Sequence, residues 1–149
     1  MGFYYNFIIW YNSVKHLLIM NEPLEKLIIA STTDTPSVTL DKENGIFEIK
    51  GISLPANIFG FYNPIINWLI KYSENPNEET KFEFKFSYLN SSSAKIVSEI
   101  MTILKRIEEK NKKVDIVWRY KHEDFEIKEM GVEFSDTLNL PVNVIDDGI

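Results

Sequence analysis

Two segments of the chain alternate apolar and polar residues with a period of two, which is typical of strands with one buried face. In the first segment the apolar positions are Phe82, Phe84, Phe86 and Tyr88. In the second they are Val114, Ile116, Trp118 and Tyr120. A sheet that is covered on both faces is apolar throughout, so these strands predict helices mainly on one face of the sheet.

In the segments between the strands, apolar residues recur with the spacing of a helix. One helix is predicted from a cap at Asn57 to Asn75–Pro76, with Pro64 expected to kink it or to begin a second helix. A second helix follows Asn90, and a third covers residues 122–138. Short strands are predicted at residues 24–31 and 141–146, and a hairpin turns at 43–45. The order β-β-β-α-β-α-β-α-β predicts a single α/β domain with a mixed sheet.

The first 19 residues differ from the rest of the chain. They are dense in aromatic residues, contain no acid and have Lys15 as their one charged residue. Polar residues interrupt the segment too often for a transmembrane helix, and it lacks the charge and cleavage pattern of a signal peptide. We expect residues 1–19 to be a non-native or mis-assigned extension, and residues 20–149 to form the domain.

Composition narrows the possible functions. The 149 residues are 44% hydrophobic, with a net charge of -6 and no cysteine. An acidic chain with no long basic run is not expected to bind nucleic acid. The absence of cysteine excludes thiol catalysis and Cys-ligated metals, and it fits a cytoplasmic protein. No phosphate-binding, dinucleotide-binding or metalloprotease motif occurs, so we expect no cofactor, no metal and no membrane partner.

A run of three serines, Ser91 to Ser93, follows Asn90 where a predicted strand passes into a predicted helix. Asn and Ser both cap helices, so Asn90 or Ser91 can serve as the N-cap. Three serines exceed what one cap requires, and the first turn up to Lys95 contains no acidic residue. Because exposed N–H groups at a helix start favour an anion, this position suits phosphorylation.

The order of several motifs resembles the SiaC family of bacterial regulatory phosphoproteins. The resemblance runs from about Leu27 to Ile145. It rests on "GISLPANIFGFYNPIINW" from Gly51 to Trp68, on "YLNSSS" from Tyr88 to Ser93, and on the segments "VWRYKHED" and "LPVNVI". Two departures are visible: Ser91 stands where the family often has Thr, and Ala56 stands where it often has Glu.

This resemblance implies a fold similar to STAS domains, the anti-sigma-factor-antagonist type. It implies phosphorylation of Ser91 by a dedicated protein kinase and removal of the phosphate by a metal-dependent phosphatase. The residues flanking the site are Asn90, Ser92, Ser93 and Lys95. In the best-known system the unmodified protein binds and activates a diguanylate cyclase, which makes a signalling enzyme of this kind a candidate partner.

We therefore favour a non-enzymatic switch, in which a phosphate on Ser91 changes a docking surface that includes Phe61, Tyr62 and Trp68. Those three aromatic residues belong either to such a surface or to the core, and their spacing alone leaves both open. One alternative is a constitutive binding or scaffold module whose serines only cap the helix. Another is a small enzyme that uses the acidic segment "HEDFEIKE" from His122 to Glu129, which is more typical of a solvated helix face.

Overall fold

The computed structural model describes residues 2–20 and 22–148 and contains ten elements of secondary structure. The helices are α1 (Gly2–Met20), α2 (Ile58–Glu74), α3 (Ser91–Glu108) and α4 (Phe125–Leu138). The strands are β1 (Leu27–Ile29), β2 (Ser37–Asp41), β3 (Ile46–Ser53), β4 (Glu79–Leu89), β5 (Lys113–Tyr120) and β6 (Val142–Asp146). After α1, this order confirms the predicted one.

All six strands form one sheet in the order β1-β2-β3-β4-β5-β6. The first three strands pair antiparallel, and β3 to β6 pair in parallel, so the sheet is mixed as predicted. The parallel strands are joined by α2, α3 and α4, and right-handed crossovers in one direction leave such helices on one face. The carboxyl ends of β3 to β6 consequently lie at one edge of the sheet, where each of these helices begins.

The core lies between the sheet and these three helices. Phe82, Phe84 and Phe86 of β4 are at most 2% exposed, and Trp118 of β5 is fully buried among them. The stripe that the sequence spacing of α3 predicts is buried: Ile96, Ile100, Ile103, Leu104 and Ile107. Val97 and Met101 are buried as well, so the core face of α3 is wider than predicted. Burial of such side chains, at roughly 1.5–3 kcal/mol each, is the main force that holds the helices on the sheet.

The opposite face of the sheet carries charged side chains around a shallow depression of about 440 Å³. Arg119 donates to Glu83 at 3.1 Å and to Asp147 at 3.2 Å, and Lys85 also pairs with Asp147. The hydrogen bond from Lys85, together with the nearby charge of Arg119, lowers the pKa of Asp147 below its ordinary value. Cationic and carboxylate side chains lie next to one another here, so their charges largely neutralise one another. This is the solvated face of the sheet that the alternation of apolar and polar residues predicted.

Tyr88 does not share a face with Phe82, Phe84 and Phe86, so that part of the strand prediction is wrong. Gly51 pairs with Phe86 and Ile52 pairs with Tyr88, which leaves Ser87 as an extra residue in β4. Such a bulge reverses the alternation beyond it. Tyr88 is therefore 47% exposed, and Leu89 takes the buried position.

Pro64 lies inside α2, which continues from Ile58 to Glu74 without a second start. The expected cap is present, because the side chain of Asn57 accepts a hydrogen bond from the N–H of Gly60 at 3.0 Å. The prediction of a second helix beginning at Pro64 is therefore wrong. Helix α4 begins at Phe125, after a cap at Asp124, three residues later than the predicted 122.

Helix α1 is apolar and largely exposed. Its exposed large side chains include Phe3, at 94%, and Trp10, at 60%. Among the described residues, no helix combines the length and the apolar character that crossing a bilayer requires. Met1, Asn21 and Ile149 lie outside the described residues. The division of the chain into residues 1–19 and 20–149 stays a prediction.

Candidate phosphorylation site and docking surface

The start of α3 is fixed by Asn90, the last residue before the helix. Its backbone is extended, with φ -77° and ψ 167°, and its Oδ1 accepts from the N–H of Ser93 at 2.8 Å. The N–H of Ala94 donates to the carbonyl of Asn90 at 2.8 Å and closes the first helical turn. Of the two residues that could cap the helix, Asn90 does so.

The three serines of the triplet occupy different environments. Ser91 and Ser92 are exposed, whereas Ser93 is completely buried. The Oγ of Ser93 donates to the carbonyl of Ser53 at 3.3 Å and accepts from the Oγ of Ser53 at 2.8 Å. A kinase can therefore reach the hydroxyls of Ser91 and Ser92 in this structure, but not that of Ser93.

The charge distribution at this helix start favours an anion. The first turn of α3 contains no acidic side chain. Its first N–H groups have no acceptor within the helix, and the helix dipole places partial positive charge there. Lys95 is exposed and lies one turn beyond Ser91, a spacing at which side chains on a helix are neighbours. A phosphate on Ser91 would therefore meet favourable electrostatics within the domain.

Two of the three aromatic residues proposed for partner contact lie in the core. Tyr62 is 1% exposed and Trp68 is 7% exposed. The indole N–H of Trp68 donates to the carbonyl of Glu25 at 2.6 Å, which ties the segment before β1 to α2. Tyr62 and Trp68 therefore cannot form part of an exposed docking surface in this structure. Phe61 is half-buried and packs edge-on against Tyr62, with ring centroids 4.9 Å apart.

A group of exposed apolar side chains lies instead at the carboxyl edge of the sheet, and we call it the apolar edge: Ile52, Leu54, Phe59 and Tyr88. They are 38%, 46%, 64% and 47% exposed, respectively. Ile52 and Tyr88 are paired residues of β3 and β4, and Ser53 is paired with Leu89 directly before Asn90. Ile52 and Tyr88 thus lie at the ends of β3 and β4, next to the start of α3, and Leu54 and Phe59 lie in the segment that leads from β3 into α2.

Sequence reasoning missed most of the apolar edge. Phe59 had a signal, because it broadens the apolar side of α2 beyond the stripe that a single core contact requires. The sequence does not indicate that Tyr88 is exposed, because its exposure depends on the extra residue in β4. Gly51 was a partial signal: it adopts a φ of +118°, which side chains rarely tolerate, next to the shifted pairing.

The acidic segment near residues 122–129 has structural roles in this fold. Asp124 caps α4 by accepting from the N–H of Ile127 at 3.2 Å. Nδ1 of His122 lies 2.8 Å from a carboxylate oxygen of Asp146, and that contact, with the N–H of Gly148, lowers the pKa of Asp146. Within residues 2–20 and 22–148, no group of three or more His, Asp or Glu side chains is arranged to hold a metal ion.

In a comparison with known protein families, residues 29–147 match the sequence model of the family described as SiaC family regulatory phosphoprotein. The chain belongs to the SiaC family. The matched residues include the whole sheet from β2 to β6 and the triplet at the start of α3, and they exclude α1.

Two solved structures of Pseudomonas aeruginosa proteins share the fold of this SiaC family member. A chain in the crystal structure of the diguanylate cyclase SiaD in complex with its activator SiaC is 24% identical, with a TM-score of 0.73; the match covers 79% of this chain and 97% of that one. Apo-SiaC is 23% identical, with a TM-score of 0.72, and 80% and 98% of the two chains are covered.

One curated relative in sequence is an uncharacterized protein of Pseudomonas aeruginosa (strain UCBPP-PA14). It is 24% identical over 118 residues, which cover 79% of this chain and 94% of the relative. The family match and the structural matches therefore agree on a SiaC-type α/β domain.

Proposed function

We propose that this SiaC family member is a non-enzymatic regulator whose binding to a partner protein is switched by phosphorylation of Ser91. A dedicated protein kinase adds the phosphate, and a metal-dependent phosphatase removes it, both in the cytoplasm. The partner is a signalling enzyme. A diguanylate cyclase is the first candidate, because SiaC of Pseudomonas aeruginosa is an activator of the cyclase SiaD.

The observation that carries this proposal is the position of Ser91. Its side chain is exposed, it begins a helix without acidic residues in the first turn, and it lies beside strand ends that expose apolar side chains. Asn90 already supplies the cap, so Ser91 is not needed for that purpose. An exposed serine that is free of a capping role can be modified without unfolding the helix.

The proposed switch works through charge and desolvation. A phosphate adds about -1.5 to -2 charge and strong hydrogen-bond acceptors to the position it modifies. A partner that covers the apolar edge would have to remove water from this dianion, which costs free energy unless the partner supplies cations. Unmodified Ser91 carries no such cost, so the unmodified form is the one that binds.

We place the docking surface of this proposal on side chains that are exposed. Tyr62 and Trp68 are buried, so the contact with the partner is assigned to the apolar edge together with the exposed part of Phe61. Apolar and aromatic side chains of this kind supply most of the binding energy at protein interfaces.

Co-expression with the native kinase, followed by intact-mass measurement and peptide mapping, tests the modified residue. The expected result is a single added phosphate on Ser91 that is absent from Ser91→Ala. Ser87→Ala is a matched control, because Ser87 is an exposed serine in the neighbouring strand and should leave the phosphate in place. A phosphate that persists undiminished in Ser91→Ala would refute the assignment.

A further inference from the structure

Three buried hydroxyl groups meet beneath the first turn of α3, and we call them the hydroxyl triad: Ser53, Tyr62 and Ser93. They come from the end of β3, from α2 and from α3, and each is at most 1% exposed. The Oγ of Ser53 lies 2.6 Å from the hydroxyl of Tyr62 and 2.8 Å from the Oγ of Ser93. Buried polar groups in proteins almost always have hydrogen-bond partners. Here the partners come from three different elements, so their hydrogen bonds join β3, α2 and α3.

The donors of the triad can be assigned one by one. The hydroxyl of Ser93 donates to the carbonyl of Ser53, and that of Ser53 donates to the Oγ of Ser93. The hydroxyl of Tyr62 is then the donor to the Oγ of Ser53. In the described part of the chain, no buried side-chain nitrogen or oxygen lacks a hydrogen-bond partner. Burial raises the pKa of Tyr62, against the opposing effect of its serine neighbours, so the phenol remains a donor at neutral pH.

The triad anchors the chain on both sides of the exposed serines. The carbonyl of Ser53 accepts from the N–H of Asn90 at 3.2 Å and also from the hydroxyl of Ser93. Asn90 and Ser93 are in turn joined by the capping hydrogen bond. Ser91 and Ser92 therefore lie between two residues that are both held by one carbonyl at the end of β3.

We infer that the hydroxyl triad restricts phosphorylation to the exposed serines of the triplet, Ser91 and Ser92, because it holds the hydroxyl of Ser93 in the core. This inference rests on the proposed function and concerns its specificity. In the reaction the serine Oγ forms a bond to the γ-phosphorus of ATP as the bond from that phosphorus to ADP breaks. The serine proton passes to a base of the kinase. Ser93 cannot enter this reaction while its hydroxyl is buried.

The residues of the triad are positioning residues, since they do not touch the transferred phosphate. Their loss should let the first turn of α3 open more often, as local unfolding exposes groups that the native fold buries. Opening would release Ser93 from Ser53 and bring this otherwise buried serine within reach of the kinase. Ser93 would then also be phosphorylated while the domain stays folded.

Tyr62→Phe is the most conservative test, because it removes one hydroxyl and leaves the ring. Tyr72→Phe is its matched control: the hydroxyl of Tyr72 is also buried in α2 and lies 2.7 Å from Oγ1 of Thr80, at the other end of the helix. Ser53→Ala is a second triad variant, which keeps the inference testable if Tyr62→Phe fails to fold. Each full-length protein is incubated with the native kinase and ATP, and phosphorylated peptides are quantified residue by residue.

The wild type and Tyr72→Phe are expected to carry phosphate on Ser91 and almost none on Ser93. Both triad variants should show at least about a ten-fold larger fraction on Ser93, together with faster amide hydrogen exchange at residues 91–95. An unchanged site distribution in the triad variants would overturn the inference and leave the proposed function intact. An equal shift in Tyr72→Phe would overturn it too, because general destabilisation would then be the cause. A wild type without phosphate on Ser91 would overturn the proposed function, and the inference with it.

Discussion

The side chain of Asn90 accepts a hydrogen bond from the backbone N–H of Ser93 across 2.8 Å. This contact makes asparagine the cap of α3 and turns Ser93 into the core, toward Ser53. Ser91 is left outside the cap and outside the core. Capping and modification are therefore separate roles of neighbouring residues at this helix start.

Substitutions at these two positions should differ in their effect on stability. Asn90→Ala removes the capping acceptor, so the free energy of unfolding should fall by about 0.5–2 kcal/mol. Ser91→Ala removes an exposed hydroxyl and should change that free energy by less than about 0.5 kcal/mol. Urea denaturation of both variants tests this. A larger loss in Ser91→Ala than in Asn90→Ala would mean that the serine is the cap.

A larger residue at Gly131 should destabilise the fold, although the position lies inside a helix where alanine is normally preferred. A Cβ at this position would come within 2.5 Å of Cδ1 of Trp118, whose ring is fully buried. We expect Gly131→Ala to lower the free energy of unfolding by about 1–2 kcal/mol, because overpacking outweighs the gain in helix propensity. Val132→Ala, at an exposed neighbouring position, is the control. A stabilised Gly131→Ala would show that Trp118 can move aside.

These two cases show what the sequence could and could not predict. Periodicity was sufficient for the order of the elements and for the placement of the helices on one face, because it reports which side of each element is buried. It could not distinguish Ser93 from Ser91, since burial of Ser93 depends on Ser53, which lies 40 positions away along the chain. Helix propensity alone predicts that Gly131 weakens α4, whereas its role is to make room for the ring of Trp118. Tyr62 and Trp68 could not be assigned to the core or to the surface until the packing was known.

Asp147 should contribute to the pH dependence of stability. Lys85 and Arg119 hold the pKa of its carboxyl below the ordinary value in the folded protein. Its stabilising effect is therefore present above the unfolded pKa of about 3.9, and it is lost as pH falls through the lower folded pKa. Asp147→Asn should be less stable than the wild type at neutral pH, and the difference should shrink in acid.

Urea denaturation of Asp147→Asn and the wild type from neutral to strongly acidic pH measures this effect. Asp34→Asn is the control, because Asp34 forms no ion pair in the described part of the chain. A constant difference between Asp147→Asn and the wild type across that range would show that Asp147 does not stabilise the fold through its charge.

The apolar edge should contribute to partner binding without contributing much to stability. Phe59 is 64% exposed in the first turn of α2, close to the end of β3. Phe59→Ala should weaken binding to a diguanylate cyclase encoded in the same genome by about ten-fold or more, as aromatic anchors at interfaces do. Ile70→Ala is the matched control, because Ile70 is exposed on the same helix, far from Ser91. If both variants lost the same affinity for the cyclase, or if Phe59→Ala lost none, the cyclase would have to contact a different surface.

The most direct test of the switch is the affinity of one partner for the two forms of this protein. The cyclase is immobilised, and full-length protein is applied without phosphate, with phosphate on Ser91, and after treatment of the second sample with phosphatase. Phosphate on Ser91 should weaken binding at least about ten-fold, equivalent to about 1.4 kcal/mol, and its removal should restore the original affinity. Equal affinity of the phosphorylated and unphosphorylated forms would show that Ser91 is not a binding switch.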